Sequence, residues 1–327
     1  MQTFRLKSKE TLAKYYLWHS ISQSAKFRLS KLKNMDVTIK HKVIVFIAFT
    51  SIIQLAFYGN IQAQETLKVM SWNIRLDTPH DGKFAWDFRK EKFVAFVKEQ
   101  KADLLGFQEL LHNQLTYTAD HLTEYSWFGV GRTDGKMAGE YSPVFFKTER
   151  FDFLQGGNFW LSEEPETAGS KGWDAAYERI VSWVQLFDKN SGDTLWFFNT
   201  HFDHIGEEAR KNSALLILRK INELTIGQTT ILTGDLNVKP DNEAYKMMSN
   251  PPSLLFDSRK IAFGSKMYEQ NTFTGFDDDP SNDSLIDYIF HTQTLQPHSY
   301  EVFLPNTDDF YYSDHLPVVT VFNLNTK

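Results

Sequence analysis

The chain has 327 residues, 42% hydrophobic and 15% aromatic, and a formal net charge of −6, so a large core is available and global disorder is excluded. It has no cysteine, which excludes a disulfide framework, a thiolate zinc site and a cysteine nucleophile. Ten of the 35 Lys and Arg but two of the 41 acids precede Glu65, leaving the rest at −14, a charge that repels a nucleic-acid backbone.

Residues 1–64 read as a basic extension followed by a signal peptide. Lys40, His41 and Lys42 precede an apolar, uncharged run at 43–57 (VIVFIAFTSIIQLAF), and small or polar residues follow at Gln62-Ala63-Gln64. A basic start, a short apolar run and a small-residue exit describe a secretory signal. The run is shorter than the ~20 residues of a spanning helix. Met35 offers a start of ordinary length, with Met1 and an uncleaved anchor as the open alternatives. The expectation is a mature protein beginning near Ala63, secreted or periplasmic, monomeric, and without a membrane span once the signal is removed.

From residue 67 strands and helices alternate. Strands are predicted at 67–74, 103–108, 142–147, 158–161, 179–188, 194–200, 229–233, 285–290 and 316–322. Phe93, Phe96 and Val97 lie at helical spacing in a segment begun near Trp86, and Leu111, Leu115 and Leu122 predict a second helix. A third covers 207–224, with Ala214, Ile217, Ile221 and Leu224 on one stripe. Residues 168–173 and 277–280 read as loops. This mixture predicts an α/β (α+β) domain over 65–327, two sheets packed together with helices outside.

Short polar clusters stand directly after the apolar strands, where a packed sheet builds a pocket from distant segments. They are Asn73, Gln108-Glu109, the run His201-Phe202-Asp203-His204, Asp235 and Asn237, Asp287, and Asp314-His315. Each alone reads equally as a turn former, a helix cap or a structural histidine. Together they suit phosphoester hydrolysis. Glu109 and Asn73 offer oxygen to a hard cation, and Asp235 can accept a proton from water. His201 and His315 can donate to phosphoryl oxygens, and Asp287 can orient a histidine.

These clusters, in this order, resemble the endonuclease/exonuclease/phosphatase superfamily of DNase I-like enzymes, over about 67–322. WN, QE, N-x-H, GD-x-N and SDH-x-P carry the resemblance. It implies a four-layer α/β/β/α sandwich and a Mg²⁺-dependent phosphoesterase, with Mn²⁺ as a possible substitute. It implies Asn73, Glu109 and Asp314 as metal ligands, Asp235 and Asn237 on the water, and His201 and His315 on the phosphate, with Asp287 paired to His315. Glu140 matches a glutamate that orients the first histidine, and Arg179 matches a phosphate-contacting arginine. The stretch at 131–147 is similar to that of a secreted bacterial subgroup. A calcineurin-like metallophosphoesterase lacks its first and its last two motifs here, and a non-catalytic binding module would have lost metal or base residues that are present. The acidic body points to a phosphorylated small molecule or a lipid head group rather than DNA, a secreted nuclease being the alternative. Trp160, Trp173, Phe273 and Phe276 are candidates for the pocket mouth.

Overall fold

The computed structural model describes residues 65–262, 271–276, 284–303 and 311–324. The predicted signal at 43–57, the boundary at residue 64 and the loop at 277–280 lie outside the described residues. No helix among those described is long and apolar enough to cross a membrane.

Period-two alternation sorts the strand side chains onto two surfaces. In β1 (Thr66–Asn73), Leu67 and Val69 face one way and Met70 and Trp72 the other. Along β7 (Asp193–His201), Phe197 points to the first surface while Trp196 and Phe198 point to the opposite one. Three cores result, and they define four layers. Helices α1 (Trp86–Gln100) and α2 (His112–His121) cover one sheet through Trp72, Phe93, Val97, Phe107 and Leu115. Val69, Leu104, Val184, Phe197, Ile231, Ile289 and Val318 fill the space between the sheets. Helices α3 (Glu207–Thr225) and α4 (Glu243–Ser249) cover the second sheet through Ala214, Ile217, Phe198, Leu232 and Tyr245. The structure is thus the predicted α/β/β/α sandwich.

The first sheet runs β11-β12-β1-β2-β4-β3, with β2 at Leu104–Gln108, β3 at Tyr125–Phe128, β4 at Val144–Lys147, β11 at Gln296–Val302 and β12 at Val318–Asn323. The second runs β5-β6-β7-β8-β10-β9, with β5 at Phe151–Trp160, β6 at Ile180–Asp188, β8 at Thr230–Asp235, β9 at Leu255–Asp257 and β10 at Asp287–Thr292. A short helix α5 (Ser258–Ala262) follows β9. Within this frame β1 and β2 are parallel, as are β7 and β8.

A polar clamp ties the sheets together beneath the functional ends. The Asn199 amide on β7 donates to the carbonyls of Phe107 (2.7 Å) and Pro143 (2.9 Å) of the other sheet. Its oxygen accepts from Gln108 (2.7 Å) and Thr233 (2.9 Å). Gly106 makes this approach possible, because a Cβ there would overlap Thr233 Oγ1 and press on Asn199.

Candidate active site

Sheet register brings the predicted polar residues together. His201 on β7 is the parallel partner of Asp235 on β8, and Asp287 on β10 is the antiparallel partner of the same Asp235. The three stand side by side at one end of the second sheet. In the first sheet Asn73 pairs in register with Gln108, and Glu109 follows at once with a left-handed φ of 68°. That turn takes Glu109 out of the strand direction and towards the facing sheet.

Asn73 is the bridge between the sheets. Its Nδ2 donates to Glu109 Oε1 (2.9 Å) and to Asp235 Oδ2 (3.0 Å), while its Oδ1 accepts from the Arg75 N–H (3.0 Å). Glu109 accepts a second bond from the Leu76 N–H (3.0 Å). Burial raises the Glu109 carboxyl, but the Asn73 bond, the His315 charge and the Leu76 N–H outweigh it, and the group is held below its ordinary value. Asp314 lies 3.8 Å from Arg75 Nη1. Burial drives its carboxyl up, with Glu109 adding to the push and His315 opposing it.

Asp235 is the centre of the constellation. Its Oδ1 accepts from the Asn237 N–H (2.9 Å), and its Oδ2 lies 3.4 Å from His201 Nε2 and 3.6 Å from His315 Nε2. Burial, then the Asp287 charge, raises its carboxyl. His315 Nδ1 bonds Asp287 Oδ2 at 2.9 Å. Burial works against a charge on His315, yet Asp287 and Asp235 together raise it, so the imidazolium is favoured. His201 goes the other way. Burial, with Arg179 and Arg132 nearby, pushes it well below its ordinary value, and the neutral ring accepts from Asn237 Nδ2 at 3.0 Å. The two histidines therefore differ in charge, a division set by their neighbours.

Two expectations need correction. Glu140 does not orient His201 by a hydrogen bond. Its carboxylate is held in a two-pronged pair by Arg132 at 2.7 Å on each oxygen, and His201 Nδ1 is 3.8 Å away without a bonded partner. A guanidinium on the 131–140 turn satisfies both carboxylate oxygens, which leaves none aimed at the ring. Of the four aromatics proposed for the pocket mouth, only Phe273 lines it, edge-on to His315 at 4.9 Å. Trp160 is buried, Trp173 packs on the α3-side core, and Phe276 stacks on Phe84. Tyr177 is the exposed aromatic at the cleft instead.

Arg179 is buried and faces the same cleft, its Nε 3.5 Å from Asp203 and its Nη2 3.2 Å from His204 Nδ1. Its Nη1 is buried without a hydrogen-bond partner. Asp203 anchors this corner, accepting from the N–H groups of Tyr177, Ile205 and Gly206 at the start of α3. Burial pushes its carboxyl up, but the N–H groups of Gly206, Ala176 and Ile205 and the charge of Arg179 bring it down to about 2. A carboxyl depressed from 3.8 stabilises the fold above pH ~4, and that contribution disappears as pH falls through about 2. Asp203→Asn should therefore lower Tm at neutral pH, and the gap from wild type should close as the solution is acidified below pH 4. A gap that stays constant down to pH 2 would contradict this.

Besides Arg132, two residues at the site escaped the sequence reading. Arg75, with a φ of 59°, pairs with Asp81 (3.0 Å) and reaches towards Asp314. Arg89 of α1 is fully buried and donates to the carbonyls of Ile74, Arg75 and Tyr312, pinning the end of β1 to the segment that carries Asp314. No local pattern announces either, because an arginine on a helix or a turn is ordinarily solvated.

A cation fits the donor chemistry here. Glu109, half-buried, and the buried Asp235 and Asp314 line the cleft, Asp287 stands beside Asp235, and Asp287 Oδ1 has no hydrogen-bond partner. Ligand atoms of Asp235, Asp287 and His315 lie within 4.8 Å of one another. That trio is the tightest cluster, but His315 is favoured in its charged form and its Nδ1 is bound to Asp287. The trio's two carboxylates are therefore what it offers a hard cation, with Glu109 and Asp314 as further oxygen donors lining the same cleft.

A four-layer sandwich with such a cleft at the strand ends, able to hold a divalent cation, defines a hydrolase of the phosphoesterase type. The profile of the Endonuclease/Exonuclease/phosphatase family matches residues 70–315, and the chain belongs to that family. The fold is similar to an endonuclease/exonuclease/phosphatase from Bacteroides vulgatus, with 37% identity, a TM-score of 0.75, and coverage of 80% of this chain and 100% of that one. It is also similar to a mannosyl-6-phosphatase from Bacteroides thetaiotaomicron, at 35% identity and a TM-score of 0.71, covering 78% and 98%. An uncharacterized protein, L388, of Acanthamoeba polyphaga mimivirus is 26% identical over 284 residues, 78% of this chain and all of its own.

Proposed function

We propose that the protein is an exported, monomeric, Mg²⁺-dependent phosphoesterase acting on a small phosphorylated molecule, a metabolite or lipid head group. The observation that carries the chemistry is one buried carboxylate, Asp235, within 3.4 and 3.6 Å of two histidines of opposite charge preference.

In this reading Asn237 and Asn73 hold Asp235 so that it accepts a proton from the attacking water. The water oxygen bonds to phosphorus, the ester P–O bond breaks, and the leaving oxygen takes up a proton. Asp287 holds His315 in its charged form beside the phosphoryl oxygens, where a preorganised donor opposes the growing negative charge. Arg179 offers its unpartnered Nη1 to the same group. Glu109, Asp314 and Asn73 would hold Mg²⁺ or Mn²⁺, which when bound neutralises phosphoryl charge.

Size and charge support a small substrate. The cleft measures about 650 Å³, within the range of small-molecule sites. Arg75, Arg132, Arg179 and Lys239 line it beside Glu109, Glu140, Asp235 and Asp314, so these cations balance the acids and a bound divalent ion would tip the cleft towards a compact anion, while the net charge of the domain opposes a long one. The mannosyl-6-phosphatase relative makes a sugar phosphate the first substrate to test.

The purified protein with Mg²⁺ should cleave hexose 6-phosphate or p-nitrophenyl phosphate with higher kcat/KM than plasmid DNA at near-physiological salt. Faster cleavage of DNA, falling steeply as salt rises, would establish the secreted-nuclease reading instead. N-terminal sequencing of exported protein should find a start near Ala63, as the pattern at 40–64 requires.

A further inference from the structure

His204 and Tyr177 line the cleft yet have no part in the hydrolytic step. His204 Nδ1 faces Arg179 Nη2 at 3.2 Å. A guanidinium only donates, so Nδ1 must accept, and the neutral ring carries its proton on Nε2. Nε2 has no protein partner among the described residues. Arg179 itself is buried and held at Asp203, so His204, though exposed, is oriented by that one bond.

Tyr177 is 51% exposed, a high value for an aromatic at a cleft. It is nevertheless positioned. Its ring lies against His204 (5.8 Å, interplanar 17°), the Arg132 guanidinium sits 5.4 Å from the ring centre, and its N–H is bonded to Asp203. Arg132 in turn is fixed by Glu140. The corner thus presents a neutral N–H donor, three residues along the chain from His201, and a phenol hydroxyl from the segment before β6. Phe273 and Ile286 contribute an apolar surface to the same cleft.

We propose that Tyr177 and His204 form a hydroxyl-recognising subsite, and that the group leaving with the ester oxygen is a polyhydroxylated ring, a sugar or cyclitol. The assignment rests on the phosphoesterase reading above and adds the half of the substrate that the reaction does not touch. An oriented donor beside a phenol matches ring hydroxyls, and the aromatic edge suits the C–H face of such a ring. A site built to bond a hydroxyl discriminates against an analogue that lacks it, because its polar groups are then left unpaired. An acyl or aryl group seated there would displace water from both donors without replacing its hydrogen bonds.

The test compares kcat/KM for glucose 6-phosphate, myo-inositol 1-phosphate and p-nitrophenyl phosphate, using the full chain with Mg²⁺. The variants are His204→Ala, His204→Gln and Tyr177→Phe. The ratio of ring-phosphate to aryl-phosphate kcat/KM should fall about tenfold in His204→Ala and by a smaller factor in Tyr177→Phe, chiefly through KM. His204→Gln keeps a donor and should recover part of the ratio. The better of the two ring substrates distinguishes sugar from cyclitol. Equal losses on ring and aryl substrates, or none on either, would overturn the subsite. Wild-type protein that hydrolyses the aryl ester but neither ring phosphate would overturn it too, leaving the phosphoesterase reading standing. Failure on all three substrates would overturn both.

Discussion

Replacing Asp235 by asparagine should lower kcat by roughly 10²–10⁴-fold while Tm holds or rises. The two halves of that expectation have one cause. Asp235 is buried, and burial together with Asp287 penalises its charge, so the carboxylate costs the fold stability. Asparagine keeps the shape and an oxygen for the Asn237 N–H, so the contact it gives up is the bond from Asn73 Nδ2, which relief of the buried charge offsets. What is lost is the acceptor for water's proton, at a point reached by both histidines. The measurement pairs steady-state kinetics with thermal unfolding. Retained turnover would move the base role to the His315–Asp287 pair, and lost turnover with a large fall in Tm would reduce Asp235 to a structural group.

Removing divalent metal should abolish activity, and Mg²⁺ or Mn²⁺ should restore it. Glu109, Asp235 and Asp314 line one cleft and Asp287 stands beside Asp235, with Arg75 and His315 as the nearby cations. Burial and mutual repulsion raise Asp235 and Asp314, so a bound cation relieves a strain that is already built in. Ligand that binds only the native state also raises Tm. Glu109→Gln keeps one of the two bonds from Asn73 Nδ2 and the Leu76 N–H, since its amide nitrogen cannot accept, and halves the charge that the pair with Asp314 offers. It should require roughly 10–100-fold more Mg²⁺ for half-maximal activity and show a smaller Mg²⁺-dependent rise in Tm. Full activity in excess EDTA would refute metal dependence.

The strands that the sequence disclosed are the interior ones. β1, β2, β4, β6, β7, β8, β10 and β12 all appear as apolar runs because neighbours cover them on both sides. The failures fall on the four sheet edges. β3 and β9 are short, and β11 begins Gln-Pro-His-Ser, where proline and polar residues suit an open edge. β5 was legible only near Phe159 and Trp160, because Asp152 to Gln155 are exposed and the strand is bulged there.

The same physics divided the site. Asn73, Glu109, His201 and Asp235 end or follow an apolar strand, while Asp287 opens β10 and His315 precedes β12, so proximity to apolar strands marked them. The partners were hidden, because Arg132 on Glu140, Asp203 on Arg179 and Arg89 on the end of β1 meet only in three dimensions. Asn199 was read as part of a motif, whereas it locks one sheet to the other. Gln108, grouped with Glu109 by adjacency, belongs to that lock and not to the cleft.

The pairing of β1 with β12 joins Thr66 to Asn323, so the strand bearing the first site residue is completed by one from the far end of the domain. Contacts so remote along the chain form slowly, since a long loop must close before any bond rewards it. The segment with Asp314 and His315 is delivered by the docking of β12. A nascent or clipped chain lacking that strand holds the base and one histidine but neither the second histidine nor a full set of acids. Hydrolysis is thereby tied to completed assembly: the constellation is whole only once the two ends of the domain have met.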